Sequence, residues 1–420
     1  MNSLAVNLKK NLRQYMMLIV LVVIVVLFNA LTKGVLLKPM NISNLINQNA
    51  YVIILATGML QCILTGGNID LSVGSILCLI GACLGIFMNR WGMNSYLAIA
   101  AALGVGILIG AWQGFWIAYV NIPPFICTLA GMLLWKGLAL LALNSKTISN
   151  LPDAFLSVST GFLSFGIDIG EVEGKQLLAL VSALLGGFLA LVYTVTQLLS
   201  RGKKRRMGYH AEGLAYVLAK CALISLALVW FFWKLGQYKG VPIVLITVGL
   251  VLIVYTFFTS KTVPGRYLYA IGGNAKAARL SGVNTRRMMF FAYTNMAFLT
   301  AVAAIVFTAR MNSAGPQAGE SFELDTIAAC FIGGASAYGG TGTVSGSLIG
   351  ALIMGTLNNG MSIMGMNQNM QKVVKGLVLL AAVAFDVTSK QKIRIPFLSR
   401  LFQRLRPRRV WRRGMSSTRP

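Results

Sequence analysis

The chain has 420 residues, of which 56% are hydrophobic and only 11% are charged. This composition excludes an ordinary soluble globular domain. Several apolar runs reach the roughly 20 residues that a helix needs to cross about 30 Å of hydrocarbon, and these runs do not have the alternation of a transmembrane β-barrel. We therefore predict an all-α polytopic membrane protein.

The formal net charge of +27 at pH 7 does not predict nucleic-acid binding. The basic residues concentrate in the tails and in alternate loops, which is the positive-inside bias of membrane proteins. The six cysteines all fall in apolar segments without metal-ligand spacing. We expect them to be small core residues, not disulfides or metal ligands.

We predict about twelve transmembrane helices, within a range of ten to twelve, some of them broken by glycine. Their expected positions are 15–35, 48–66, 71–89, 96–119, 124–144, 176–199, 214–234, 241–259, 288–308, 324–341, 343–362 and 372–388. In the pairs 48–89 and 324–362, glycine-rich breaks leave open whether each segment crosses the membrane or re-enters. The first apolar run has no clear cleavage site after it, so we expect a retained span and no signal peptide.

Basic residues cluster in the connections 200–213 and 260–287, whereas 145–175 and 309–325 are acidic. Because basic loops stay in the cytoplasm and the number of spans is even, both termini are expected there. The expected division is a cytoplasmic tail, a transmembrane domain and a basic cytoplasmic tail at 1–14, 15–388 and 389–420. The last tail has eleven Lys or Arg residues and no acid, and it is interpreted as lying on anionic lipid headgroups, with an RNA- or partner-binding arm as the alternative.

Polar residues follow a double-glycine break between the second and third predicted spans. Asn68, Asp70, Ser72 and Ser75 lie there, flanked by apolar sequence. Non-helical backbone at membrane depth is tolerated where protein buries it or where it lines a water-filled cavity, and an acid at that depth is a functional candidate. Asp70 is equally consistent with a cap on the helix that opens at Leu71, and the two interpretations are compatible.

A polar, glycine-bounded segment at 272–283 interrupts the apolar pattern of the second half. Asn274 is suited to an N-cap, and the run Ala275–Leu280 favours a helix that Gly282 ends. The predicted product is a surface helix of about two turns that presents Arg279 and needs a supporting surface or a partner. An ordinary basic cytoplasmic loop is the alternative.

A second glycine-rich run at 332–346 loosely echoes the first. Gly333 and Gly334 form its break, and Ser336 follows them. Paired interrupted segments are the expected trace of an internal transporter repeat whose pathway lies at the repeat interface. A chance match, or glycines that permit close helix packing, are the alternatives. The run is not a phosphate-binding P-loop, because no Lys-Ser/Thr follows at the required spacing.

The sequence contains no catalytic motif. The single histidine, His210, lies in a basic connection without a nucleophile or an orienting acid nearby. HExxH, GxSxG and Walker A sequences are all absent. We therefore expect no catalytic residue, cofactor or metal on this chain, and an ion gradient or a separate subunit has to supply energy for any pumping.

Five motifs along nearly the whole chain resemble the permease subunits of bacterial ABC importers for simple sugars. The likeness is to the ribose/galactose/xylose branch, and it is closest to the multiple-monosaccharide and xylose type. The motifs are NIDLSVGS from Asn68, PFICTLAGM from Pro124, YAIGGN with AARLSG from Tyr269, LDTIAA with IGGAS from Leu324, and LNNGM from Leu357. Residues 145–240 hold two spans more than the shorter ribose-type pattern of about ten.

The resemblance implies a permease that imports a pentose or hexose across the bacterial inner membrane. It implies a homodimer, an ATP-binding subunit of sugar type that binds and hydrolyses ATP, and an extracytoplasmic sugar-binding protein. By similarity, the segment that couples to the ATPase contains Gly273, Asn274, Ala278, Arg279, Leu280, Ser281 and Gly282. The translocation pathway is expected around Asn68, Asp70, Ser72, Ser75, Gly333, Gly334 and Ser336.

An ion-coupled secondary sugar transporter is the alternative function. Asp70 is the clearest intramembrane acid in the first half for such a carrier, and Asp325 sits at the edge of an acidic outer loop. A membrane-embedded transferase would need paired carboxylates, histidines or metal ligands near a membrane face, and the sequence does not show them. The sequence does not identify the sugar.

Overall fold

The computed structural model describes residues 12–167, 172–208 and 213–391. Helices dominate it, because apolar segments inside a bilayer must satisfy their backbone hydrogen bonds internally. The helices are α1 (Leu12–Leu31), α2 (Pro39–Leu64), α3 (Val73–Gly85, continued by a π-helical turn Ile86–Arg90), α4 (Ser95–Ala118), α5 (Pro124–Leu143), α6 (Asp153–Thr160), α7 (Val172–Arg206), α8 (Leu214–Gly236), α9 (Val244–Lys261), α10 (Val263–Leu280), α11 (Thr285–Met311), α12 (Phe322–Ile332), α13 (Val344–Ile363) and α14 (Gln368–Gln391).

Within the described residues, seven helices are long and apolar enough to cross a membrane: α3 with its π-turn, α4, α5, α7, α8, α9 and α11. The chain is therefore an all-α polytopic membrane protein, as the composition predicts. The predicted span 324–341 is wrong as a single helix, because α12 ends at Ile332 after 11 residues. Eleven residues extend about 16 Å, roughly half of the hydrocarbon thickness.

Two short antiparallel strand pairs tie connections together at one end of the helices. β1 (Ile148–Ser149) pairs with β4 (Ser313–Ala314), and β2 (Phe162–Leu163) pairs with β3 (Val241–Pro242). Helix α11 follows α10 and leads into β4, so it connects two opposite ends of the helical bundle. We call them the α10 end and the β1–β4 end.

Helix α2 is the centre of the core. Every residue from Asn49 to Thr65 is buried, polar ones included. Buried polar groups need hydrogen-bond partners, and Gln61 has one, because its Oε1 accepts from Asn295 Nδ2 at 3.1 Å. Tyr255 continues this chain of contacts from α9 by donating its hydroxyl to Asn295 Oδ1 at 2.5 Å. The central helix is thus tied by polar contacts to α9 and α11.

Helices α4 and α11 pack through a stripe of glycines. Gly106, Gly110 and Gly114 lie four residues apart on α4, on one face of the helix. A Cβ at Gly110 would lie 2.7 Å from Thr294 Cα, and a Cβ at Gly114 would lie 3.0 Å from Phe290 O. Small residues let backbones approach closely where lipid supplies no hydrophobic driving force between helices, so the stripe sets this helix pair.

Helices α7 and α8 form a peripheral hairpin that corresponds to the two additional predicted spans. Gly236 closes the pair, since a Cβ there would lie 2.6 Å from Ala179 Cα. α7 is 35 residues and about 52 Å long, so it continues past the predicted span 176–199 into the basic connection 200–213. That connection is therefore helical as far as Arg206, and its positive charges lie on the last turns of α7.

Candidate functional site

The first break, Thr65–Ser72, separates α2 from α3. α2 ends where Thr65 turns its hydroxyl back to Cys62 O at 2.7 Å, and Gly66 and Gly67 then adopt φ of 129° and 76°. L side chains rarely take such angles, which explains the double glycine. Asn68 holds the turn by donating Nδ2 to Thr65 Oγ1 at 3.1 Å. The break is a defined, hydrogen-bonded structure.

Asp70 is buried inside this break, with 1% of its surface exposed. Its Oδ1 accepts from the backbone N of Ser72 at 2.9 Å, from Ser72 Oγ at 2.5 Å and from Gln113 Nε2 at 3.2 Å. Among the described residues its Oδ2 has no hydrogen-bond partner. The backbone contact agrees with the capping interpretation, although α3 begins at Val73 and not at Leu71.

The second break, Gly333–Thr343, separates α12 from α13. A small turn fills it, because Ser336 N donates to Thr341 O at 2.9 Å and Tyr338 N donates to Ser336 Oγ at 3.1 Å. Asp386 of α14 supports the turn by accepting from Ala337 N at 3.2 Å. Ser336 is buried, so it shapes the break from within.

The two breaks contact each other backbone to backbone. A Cβ on Gly67 would overlap Ala337 O, and a Cβ on Gly339 would lie 2.5 Å from the backbone of Gly66. A Cβ on Gly333 would likewise overlap the backbone of Gly346, and this close approach holds α12 against α13. The echo of the two glycine runs in sequence therefore corresponds to a direct contact in space.

The first part of α10 packs on both breaks. Gly340 N, in the second break, donates to Leu64 O at the end of α2 at 3.1 Å. A Cβ on Gly272 would overlap both Leu64 O and Gly340 N, so this position has no room for a side chain. Tyr269 adds a hydrogen bond from its hydroxyl to Gly342 O at 3.0 Å. One helix thus contacts the end of α2 and the turn before α13.

Helix α10 changes direction at Asn274, whose φ of −162° and ψ of 100° are not helical. Its Oδ1 accepts from Ala277 N at 2.9 Å, which confirms the predicted N-cap and the short helix after it. The connection 260–287 is therefore mostly helical. We call Ala275–Leu280 the exposed segment: Ala278 packs inward with 6% exposed, whereas Leu280 is 82% exposed.

The exposed segment borders an open cavity of about 290 Å³. Arg279 and Arg286 stand on its two sides, and Gly282, with φ of 85°, ends the helix between them. The predicted coupling residues Gly273, Asn274, Arg279, Leu280, Ser281 and Gly282 are all exposed. This surface is basic and partly apolar, and it has the chemistry of a docking site for another protein.

The predicted pathway residues do not form one lining. Asp70, Ser72, Gly333 and Ser336 are buried, while Asn68 and Gly334 are half-buried in the breaks. Ser75 lines a cavity together with polar and apolar residues of other elements. His210 and the tail from residue 392 lie outside the described residues.

Sequence reasoning missed three polar residues that the structure places at important contacts. Gln113 bonds Asp70, Lys136 lines the same cavity as Ser75, and Lys375 pairs with Asp325 at 2.9 Å. Lys375 lies on α14 among other polar and charged residues, but Gln113 and Lys136 each interrupt an otherwise apolar helix, and a polar or charged residue in such a helix is a functional candidate by default. That signal was available in the sequence.

A family model described as "Branched-chain amino acid transport system / permease component" matches residues 41–383. The xylose transport system permease protein XylH of Haemophilus influenzae is 36% identical over 383 residues, which cover 91% of this chain and 98% of that protein. The ribose import permease protein RbsC of Escherichia coli is 34% identical over 82% of this chain and 85% of its own length. RbsC of Bacillus subtilis is 34% identical over 90% and 92%. No solved structure matches significantly.

Proposed function

The chain belongs to this permease family, and from that membership we propose that it is the membrane-spanning subunit of an ABC importer for a monosaccharide. The functions in the names of its relatives, xylose transport and ribose import, support a pentose or hexose as the substrate. The same relatives argue against an ion-coupled secondary carrier. The chain itself is a transport subunit and not an enzyme.

One observation supports the coupling role most directly: the exposed segment continues from a helix that touches both breaks. A partner that binds Ala275–Leu280 would act on Gly272, and Gly272 has backbone contact with Leu64 and Gly340. Closely packed backbone cannot absorb a displacement by side-chain rotation. Movement of the exposed segment is therefore transmitted to the C-terminal end of α2 and to the turn before α13. A separate ATP-binding subunit supplies that movement.

We place the α10 end in the cytoplasm. The basic last turns of α7 and the exposed Lys276 and Arg279 of α10 lie at this end, in agreement with the positive-inside bias. Segment 315–321 and α12 together return the chain from the β1–β4 end towards the α10 end. Counting that return as one crossing, the chain crosses the membrane twelve times and both termini are cytoplasmic.

The importer needs two further components besides the ATP-binding subunit. A homodimer of this chain would enclose the pathway, and an extracytoplasmic sugar-binding protein would deliver sugar at the β1–β4 end. The basic tail from residue 389 is assigned to the anionic lipid surface of the cytoplasmic leaflet.

The test is reconstitution of the tagged chain with its co-purifying ATP-binding subunit and the sugar-binding protein. Wild-type vesicles are expected to take up sugar only with ATP, and sugar-loaded binding protein is expected to raise hydrolysis. Arg279→Glu should abolish both effects while the permease remains inserted. Lys204→Glu, an exposed basic residue at the same end on α7, is the matched control and should behave as wild type.

Two results would overturn the proposal in different ways. Undiminished uptake by the Arg279→Glu variant would remove the coupling role of the exposed segment. Uptake driven by an ion gradient, with the chain alone and no ATP, would instead establish a secondary carrier.

A further inference from the structure

A cavity of about 220 Å³ with both polar and apolar lining lies between the start of α3, the middle of α5 and the segment that leads into α12. Three elements contribute to it that are far apart in sequence. Its lining residues are Gly74, Ser75, Met132, Leu133, Lys136, Gly319, Glu320, Ser321 and Glu323. At about 30 Å³ for each water, this volume holds roughly seven waters, the size range of one sugar ring.

The cavity lies at membrane depth. Gly81 of α3 packs on Thr308, three residues before α11 ends, with 2.9 Å between a Cβ on Gly81 and Thr308 Oγ1. Ser75 precedes Gly81 by six residues, or about 9 Å along the helix axis. α11 is 27 residues and about 40 Å long, so the cavity lies well inside the about 30 Å hydrocarbon layer.

Charged groups at this depth cannot face lipid. Glu320 pairs with Lys372 at 2.9 Å, and both side chains are more than half exposed on this surface. Ionisable residues inside a membrane protein face the interior of the bundle or a water-filled cavity, because their transfer into hydrocarbon costs several kcal/mol. The surface that carries the cavity is therefore in contact with water.

Lys136 is held in place but keeps hydrogen-bonding capacity. It is the sole charged residue of α5, and its Nζ donates to Pro316 O at 2.6 Å and weakly to Cys78 Sγ at 3.9 Å. An ammonium group has three donors, so one remains for a ligand. Glu323, whose Oε2 lies against Gly74, supplies acceptor oxygens.

We propose that this cavity is a contact site for one monosaccharide within the translocation pathway. Lys136, Glu323 and Ser75 are the side chains that hydrogen-bond the hydroxyl groups of the sugar. The inference rests on the proposed function and names the substrate contact. A sugar hydroxyl both donates and accepts, so one ammonium, one carboxylate and one hydroxyl group match it. Met132 and Leu133 provide an apolar wall for the C–H face of the ring.

The balance of charge favours a neutral ligand over an ion. Because Lys372 pairs with Glu320, the remaining charges are one positive group on Lys136 and one negative group on Glu323. An anion would meet the carboxylate, and a cation would meet the ammonium. A neutral molecule with several hydroxyl groups avoids both of these repulsive interactions.

The first experiment labels a Ser75→Cys variant in the assembled importer with a charged, membrane-impermeant thiol reagent, against the unsubstituted chain as background. If the transported sugar slows the labelling several-fold, the result supports the site. If the sugar leaves the labelling rate unchanged, the result overturns sugar binding there. The absence of labelling overturns the water-filled location.

The second experiment measures ATP-dependent uptake at sugar concentrations below saturation. Lys136→Met and Glu323→Gln are each expected to lower uptake by about tenfold or more, the usual loss for a hydrogen bond to a charged group. Hydrolysis stimulated by sugar-loaded binding protein should persist, which shows that the variants fold and couple. Lys220→Met, an exposed lysine in the apolar helix α8, is the matched control.

The two proposals fail differently. If wild-type vesicles take up no sugar, the importer function itself is wrong. If wild type transports and the Lys136→Met variant equals the Lys220→Met control, only the contact site is wrong.

Discussion

Replacing Lys375 by Met is expected to destabilise the protein strongly, because it leaves a buried carboxylate without its counter-charge. Lys375 Nζ lies 2.9 Å from Asp325 Oδ2, and the two side chains are 22% and 3% exposed. Asn358 adds only a long hydrogen bond of 3.4 Å to the same oxygen. Among the described residues, Oδ1 of Asp325 has no partner.

Removing one partner of a buried ion pair typically costs about 3–5 kcal/mol. Asp325 can reduce that cost by binding a proton, so the lower end, about 3 kcal/mol, is expected for Lys375→Met. The measurement is equilibrium unfolding of the purified protein in mixed detergent micelles. The double variant Lys375→Met with Asp325→Asn should recover most of the loss, since no charge then remains buried.

Lys372→Met is the matched control for this measurement. Lys372 precedes Lys375 by three residues, just under one helical turn, and also pairs with a carboxylate at 2.9 Å. Its side chain and that of Glu320 are, however, 55% and 59% exposed. Exposed pairs contribute about 0–1 kcal/mol. If Lys375→Met and Lys372→Met destabilise the protein equally, burial of the Asp325 pair is not what stabilises α12 against α14.

Three further outcomes are expected. Gly272→Ala should reduce ATP-driven uptake severely because its Cβ overlaps backbone on two sides, whereas Gly249→Ala, with open space around it, should not; equal uptake would exclude the contact. Gly110→Leu should lower the yield of folded protein in detergent, and Gly104→Leu on the same helix, again in open space, should leave it unchanged. Asn274→Ala should increase hydrogen exchange in the exposed segment by about fivefold, matching a cap of about 1 kcal/mol, without changing exchange in α11.

Local signals in the sequence predicted local structure well. The cap at Asn274 and the helix stop at Gly282 depend on a side chain and a backbone angle within a few residues, and the structure has both. The double glycines predicted interrupted helices for the same reason. The predicted coupling role of the exposed segment stays a prediction, because no partner has been tested.

The predicted pathway was harder to read from the sequence. Asp70 and Ser72 are polar residues at membrane depth, yet the structure buries both against Gln113. Sequence shows that a polar group needs a partner but not whether the partner is protein or water. The tertiary structure distinguishes the two cases: Lys136 and Ser75 line a common cavity, whereas Asp70 and Ser72 belong to a buried hydrogen-bond network.

The sequence by itself determined the class of the molecule, the approximate spans, the breaks and the kinked surface helix, because hydrophobic length, backbone angle and capping act over a few residues. The tertiary structure decided that the breaks at 65–72 and 333–343 touch each other and Gly272. The first break is separated from the other two segments by 200 or more residues along the chain, and Gly272 precedes the second break by about 60 residues. Their contact results from the summed packing of many helices, in which each pair contributes little, and no local pattern encodes that sum.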